Sequence, residues 1–314
     1  MIELVLTAES ANHVRFAISP LDETMGAMQT LLGVRGHPSH LPWLRESARK
    51  LGRLPIAELA AVMSARHYIT DFLAPPPQDP ATTAEVQLAE IRRTLPAQVA
   101  LELAKVDSDL SALPEDPATA RDLLADQLEL AWTELVEPHW PRMRRLLVAD
   151  IEERSRQLSE HGIAGMLADL HGRVRLSGDV LMIEMRERSR VRLDRRGLLL
   201  IPGVFAWPSV GVITMEPWQP ALLYPARGVA ELWARPSRPP AALSGVLGRT
   251  KAALLVALDR PASTKDLAAS LGLAPGTVSE HLTALRAAGL LETARRGREV
   301  RYRRTELGDA LLRA

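Results

Sequence analysis

Two groups of residues near the C-terminus have the types and spacing that recognition of nucleic acid requires. The first group consists of short polar side chains in one segment: Thr277, Ser279, Glu280 and Thr283. In the same segment Val278, Leu282 and Leu285 recur at i, i+4 and i+7, which places the polar residues on the other side of a helix. The second group is the arginine-rich sequence RRGR at 295–298. Hydroxyl, carboxylate and guanidinium groups of this kind contact base edges and phosphates.

The surrounding elements would position these groups as a helix-turn-helix followed by a hairpin. Ser263 or Thr264 caps a short helix, and Gly272 supplies the tight turn after it. Pro275 then stands in the first turn of a second helix, which Gly289 ends. Two extended runs flank a turn centred on residue 297, so the arginines would lie at the tip of a β-hairpin wing.

Charge is distributed unevenly along the 314 residues, although the formal net charge is only +1. Residues 249–314 contain 12 basic and 7 acidic side chains, whereas residues 1–248 contain 27 basic and 31 acidic ones. The hairpin at 292–304 carries six arginines against two glutamates. A basic C-terminal segment on an acidic body is the distribution expected of a nucleic-acid-binding module attached to a domain with another role.

Residues 245–314 resemble the winged helix-turn-helix domain of ArsR-type bacterial repressors. The resemblance rests on STKDLAASLGLAPGTVSEHLTALRAAGLLE, on the wing RRGREVRYRRT and on the trailing LGDALL. The whole chain also resembles actinobacterial ArsR-like regulators that carry a long uncharacterised N-terminal domain. That second resemblance rests on LTAESANHVRFAISPL, HPSHLPWL and LLYPARGVAELW.

The resemblance implies three sets of DNA contacts. Residues expected to approach base edges in the major groove are Thr277, Glu280, His281 and Thr283. Residues expected to hold phosphates are Ser263, Thr264, Lys265, Ser279 and Arg286. The wing would contribute Arg295, Arg296, Arg298 and Arg301. Many relatives have a basic or small polar residue where Glu280 stands. A carboxylate there could accept a hydrogen bond from the N4 amino group of cytosine, but it repels phosphate. His281, beside the apolar stripe, either reads bases or packs against the domain.

The first 240 residues are predicted to form an α+β domain. Helices are expected over 21–33, 41–52, 83–106, 117–137 and 139–170, after two short strands within 4–18. Short Val-, Ile- and Leu-rich runs between 173 and 226 predict an antiparallel β meander. A proline-rich linker at 234–243 would separate this domain, 1–240, from the winged helix, 245–314. All six tryptophans precede the linker. They either form the walls of an effector cavity or belong to an ordinary hydrophobic core.

Several site classes are excluded or lack support. The chain has no cysteine, which rules out disulfides, thiolate metal sites and cysteine nucleophiles. His37 and His40 could hold zinc, but Pro38 makes their segment a loop, and entry into the following helix explains it. No GxSxG, HExxH or glycine-rich phosphate loop is present. Arg227 could bind an anion or pair with a carboxylate of its own domain. We therefore expect no metal, no cofactor and no enzymatic activity.

The sequence as a whole predicts a two-domain transcriptional regulator. It would be a repressor that binds double-stranded DNA as a homodimer. We expect it in the cytoplasm, because no signal peptide or membrane-spanning run is visible. A non-metal small-molecule effector in the N-terminal domain would release the operator. One alternative is a ligand-independent adaptor whose N-terminal domain docks another protein. Another is an enzyme tethered to DNA.

Overall fold

The chain forms two compact units, Met1–Trp233 and Ala234–Ala314. The structure, a computed structural model, describes residues 1–11, 13–79, 82–233, 241–258, 261–296 and 299–312. Among these residues, no helix combines the length and apolarity that crossing a membrane requires. Each unit has its own hydrophobic core, and we describe each by itself.

Helices contain more residues of the first unit than strands do. They are α1 (Ala8–Ala11), α2 (Pro20–Leu31), α3 (Leu41–Leu51), α4 (Ala57–Met63), α5 (Ala84–Arg93), α6 (Pro96–Leu103), α7 (Pro117–Ala131), α8 (Trp140–Ala168) and α9 (Val229–Leu232). A π-helical turn, Trp132–Val136, follows α7. The fully buried Leu21, Met28 and Leu128 belong to one core that these helices share. Gly162 interrupts α8, which lies within the helical stretch predicted over 139–170, with φ 68° and ψ −177°.

Strands of the first unit are β1 (Ile2–Val5), β2 (Val14–Phe16), β3 (Val174–Ser177), β4 (Val180–Ile183), β5 (Ser189–Arg192), β6 (Leu198–Gly203), β7 (Gly211–Ile213) and β8 (Ala221–Pro225). Together with the helices they confirm the predicted α+β class. The strands form two four-stranded sheets, with orders β3-β4-β1-β5 and β2-β6-β8-β7.

The predicted single antiparallel meander is wrong. β1 pairs in parallel with β5, and β6 lies between β2 and β8 with both pairings parallel. Side chains of β6 are buried on both faces of the sheet, which is typical of parallel strands and explains the continuous apolar run LLLIPG. In β1, by contrast, buried and half-buried residues alternate, as in a sheet with one covered face.

The second unit has the helix order predicted for a winged helix, with two additions. Its elements are α10 (Ala241–Leu247), α11 (Arg249–Ala257), β9 (Ala262–Ser263), α12 (Thr264–Leu271), α13 (Pro275–Ala287), β10 (Leu291–Arg296), β11 (Glu299–Arg304) and α14 (Glu306–Leu311). α10 begins inside the predicted linker, because Leu243 is buried rather than exposed as a linker residue would be. The two-residue β9 adds a third strand to the hairpin.

A cluster of aromatic and histidine rings surrounds Trp233, the last described residue of the first unit. The Trp233 ring packs against Trp43, Phe205 and His139. Its indole Nε1 donates a hydrogen bond of 3.1 Å to Nδ1 of His40, a fully buried ring. Burial, and to a smaller extent the nearby His37, lower the pKa of His40 to about 4. This cluster secures the end of the first unit immediately before the segment that leads to the second.

The lowered pKa of His40 predicts that this residue contributes less to the stability of the first unit as the pH falls. Between pH 6.5 and about 4 the unfolded chain binds a proton at His40 that the folded chain does not. The stability that neutral His40 provides is therefore present above pH 6.5 and lost as the pH falls towards 4. The stability advantage of the wild type over His40→Phe should shrink by at most about 1.4 kcal/mol per pH unit in this window.

Urea unfolding followed by tryptophan fluorescence measures this difference, since all six tryptophans lie in the first unit. Phe205→Leu is the control, because it removes a ring of the same cluster but no titrating group. Its stability deficit should not vary with pH. If the stability advantage of the wild type over His40→Phe stays constant or grows on acidification, the lowered pKa of His40 is contradicted.

Candidate nucleic-acid interface

The orientation of α13 follows from three buried side chains. Val278, Leu282 and Leu285 are at most 1% exposed and belong to the core shared with α11 and α12. The opposite side of the helix carries the exposed side chains of Thr277, Ser279, Glu280, Thr283 and Arg286. The Thr283 hydroxyl donates to the Ser279 carbonyl at 2.9 Å, and its oxygen remains available as an acceptor. The helix therefore presents one polar face to solvent.

The turn between α12 and α13 depends on Gly272, which has φ 63° and ψ 34°. Only glycine adopts this left-handed conformation without strain, and it ends α12 abruptly. α13 then begins at Pro275 after Ala274, whose side chain offers no cap to the first-turn amides. These amides add N–H donors at the start of the polar face, suited to a phosphate oxygen. Because they are backbone groups, the side-chain types in the sequence do not reveal them.

Ser263 is committed to a capping box with Asp266. Its hydroxyl accepts from the Asp266 amide at 3.2 Å and donates to the Asp266 carboxylate at 2.8 Å. These hydrogen bonds, with smaller contributions from Arg301 and Lys265, lower the pKa of Asp266. Both donors of Ser263 thus point at Asp266. A phosphate contact from Ser263, predicted above, requires the capping box to open.

The other predicted residues outside the wing divide by exposure. Lys265 is exposed in the first turn of α12, next to half-buried Thr264. His281 is half-buried at the edge of the apolar stripe, a position compatible with packing and with base contact. The DNA contacts of these residues are predictions.

The wing is the hairpin of β10 and β11, extended by β9. Arg301 pairs with Ser263 across β11 and β9, so it lies at the base of the wing and near Asp266 rather than at the tip. The backbones of Arg295 and Arg296 belong to β10, but their side chains are not among the described ones. Arg298 lies outside the described residues.

Two further arginines of the wing have structural partners that the sequence did not reveal. Arg303 pairs with Glu292 across the hairpin at 2.8 Å. Arg304 is nearly buried; it pairs with Asp309 of α14 at 2.7 Å and donates to the Leu255 carbonyl of α11 at 2.7 Å. Arg304 therefore fastens the wing to two helices. The net charge that the wing can offer to DNA is smaller than its arginine count indicates.

The histidines considered for metal binding have other partners. His37 accepts from the amide of Ser39 at 3.3 Å, while the Nδ1 atom of His40 accepts from Trp233. Within the described ranges, no group of three or more His, Asp or Glu side chains is arranged to hold a metal ion. Arg227 pairs with Asp169, as the ion-pair alternative anticipated.

Comparison with known families assigns both parts of the chain. Residues 250–293 match the family described as bacterial regulatory protein, arsR family. Residues 110–230 match a family of unknown function, DUF5937. The chain combines an arsR-family helix-turn-helix domain with a domain of unknown function. Comparisons with curated proteins and with solved structures gave no match.

Two structural features lie partly or wholly outside the residues that the family matches cover. The arsR match ends within β10, so assignment of the wing rests on the observed hairpin. The DUF5937 match begins before α7 and leaves out β1 and β2, although each of these strands completes one of the two sheets. The arsR match points to a regulator rather than an enzyme.

Arg304 and Arg303 allow a matched test of how the wing is anchored. Arg304→Met removes the ion pair with Asp309 at a nearly buried position and should destabilise β11 and α14 by about 2–3 kcal/mol. Arg303→Met removes an exposed pair and should cost less than about 0.5 kcal/mol. Hydrogen exchange of the β11 and α14 amides, followed by mass spectrometry in the intact chain, measures both. Equal effects of the two substitutions would show that Arg304 is not an anchor.

Proposed function

We propose that this chain is a cytoplasmic transcriptional repressor that binds palindromic double-stranded DNA as a homodimer. In this proposal α13 enters the major groove and the wing contacts the backbone or the minor groove. A non-metal small molecule bound to the first unit releases the operator. The observation that supports it most is the exposed polar face of α13, set by the Gly272 turn and followed directly by an arginine-rich hairpin.

The charged and polar side chains of α13 and the wing support the proposed DNA binding. The exposed residues of α13 include hydroxyl groups and Arg286, and the wing adds the RRGR tip. Glu280 is exposed in the middle of this face. In the proposed complex its carboxylate accepts from the amino group of a cytosine, and it disfavours registers that would place a phosphate there. Glu280 then contributes selectivity rather than affinity.

The first unit has room for a small-molecule effector. Two cavities, of about 440 and 660 Å³, have the size of small-molecule sites, which span about 300–1,000 Å³. None of the described residues that line them is a tryptophan. Trp43, Trp132 and Trp233 instead belong to the helical core, so the tryptophans serve packing and the ligand is bound by other residues.

The homodimer is proposed to form through the flanks of the second unit. Val246 of α10 is 80% exposed and Leu307 of α14 is 55% exposed, so each leaves apolar surface for a partner to cover. The alternative interface, α8, already buries Met143 and Leu147 within the first unit. Two half-sites read together raise a modest single-domain affinity.

Salt dependence of duplex binding tests the role of the wing. Each phosphate contact adds about 0.9 to the slope of log K against log salt. Arg295/Arg296/Arg298→Ala should therefore reduce the slope by about 2–3 per protomer. Arg156/Arg188/Arg190→Ala, which removes three exposed arginines from the first unit, makes the same change in net charge and should leave the slope intact. A wild-type slope in the wing variant refutes the wing assignment.

A further inference from the structure

A basic cavity lies at the amino ends of the parallel strands of the first unit. It has a volume of about 660 Å³, and its described lining is His13, Val14, Arg15, Gln78, Arg195, Arg196, Pro217 and Gln219. His13–Arg15 lie at the start of β2, Arg195 and Arg196 precede β6, and Gln219 precedes β8. Three of these residues are arginines and none is acidic.

Arg15 is held in place by uncharged groups. Its Nη1 donates to the Gln78 carbonyl at 2.8 Å, and its Nη2 donates to the Gln219 side-chain oxygen at 2.5 Å. Gln219 is itself 8% exposed and is fixed through a 2.6 Å hydrogen bond from its Nε2 to the Arg196 carbonyl. Within the described part of the chain, no carboxylate pairs with Arg15. Its positive charge is oriented but not neutralised, and three of its five N–H donors remain.

The other two arginines approach the cavity through a close contact that only glycine permits. Gly197 has φ +68°, and a Cβ there would lie 2.1 Å from the His13 carbonyl oxygen. Any larger residue would push the 194–197 turn, with its arginines, away from the start of β2. Arg196 is held by Asp194 at 2.9 Å and Glu216 at 2.7 Å. Arg195 pairs with Glu9 at 2.7 Å, but its side chain is 85% exposed, so a ligand could recruit it at little cost.

We infer that this cavity binds a small organic anion carrying carboxylate or phosphate groups, with Arg15 as its principal ligand and Arg195 closing over it. This inference rests on the proposed function, because it identifies the effector site and the chemical class of the effector. A guanidinium group recognises both carboxylate and phosphate through paired N–H donors, and its orientation by neutral neighbours avoids the entropic cost of ordering it on binding.

The position of the cavity connects it to the end of the first unit. β8 starts beside Gln219 and leads through its carboxyl end to α9 and Trp233, which precede the segment joining the two units. The second cavity, of about 440 Å³, has Asp169 and Glu184 in its wall together with Arg173 and Arg175, whereas no carboxylate belongs to the described lining of the Arg15 cavity. The Arg15 cavity is therefore the better anion site.

Titration calorimetry of the intact chain with pyrophosphate and with citrate tests the inference, against sodium chloride of equal ionic strength. The two probes distinguish a phosphate site from a carboxylate site. We expect at least one probe to bind the wild type, and Arg15→Gln to weaken that binding by about tenfold or more. Arg190→Gln is the matched control, since it removes an exposed arginine that pairs with Glu3 at 3.2 Å elsewhere in the unit.

Two additions keep the test decisive. If Arg15→Gln lowers the melting temperature of the unliganded chain, Arg195→Gln is used instead; this exposed side chain should be replaced without loss of fold and should weaken binding by about threefold. All titrations are repeated with Arg295/Arg296/Arg298→Ala, which removes anion binding by the wing.

The outcomes separate the inference from the proposed function. Binding that is retained in the wing variant and lost on substitution of Arg15 or Arg195 supports the site. No binding beyond the chloride control, or equal weakening by the cavity substitutions and by Arg190→Gln, overturns it. Duplex binding by the wild type is measured in parallel. If duplex binding fails while the anion still binds the cavity, the proposed regulatory role fails and the site stands.

Discussion

Burial of Val278, Leu282 and Leu285 is the constraint on which the DNA-binding unit depends. Because these side chains are needed in the core with α11 and α12, α13 has one possible rotation about its axis. The polar residues between them must then face solvent. Gly272 sets the direction in which α13 leaves α12, and the Ser263–Asp266 capping box fixes where α12 begins. Core packing and helix ends together thus determine which face of α13 is exposed.

The wing depends on the same core through its base. Tyr302 packs against the core, Arg304 reaches α11 and α14, and β9 joins the hairpin to the start of α12. Gly308 lets α14 approach closely, since a Cβ there would lie 2.3 Å from the Leu290 carbonyl oxygen. The arginines nearest the core are therefore engaged in contacts within the unit.

Local features of the DNA-binding unit could be predicted from the sequence because their determinants are close in the chain. The apolar stripe of α13, the glycine turn and the hairpin each depend on neighbouring residues. The sheets of the first unit could not be predicted in this way, since β1 pairs with β4 and β5, far along the chain. The partners of Arg303 and Arg304 depend on hairpin register and helix docking. The Arg15 cavity likewise joins segments around residues 15, 78, 196 and 219 that have no local signal.

The central claim is that the exposed face of α13 reads DNA sequence. Selection of bound duplexes from a randomised pool, followed by sequencing, tests it most directly. Thr277/Glu280/Thr283→Ala should lose base preference within the half-site, each lost contact relaxing discrimination by about 1–3 kcal/mol, while salt-dependent binding persists. Ser270/Glu306→Ala, which changes exposed residues of the same unit outside α13 and outside the wing, should keep the wild-type preference. An unchanged preference in the α13 variant would contradict the account.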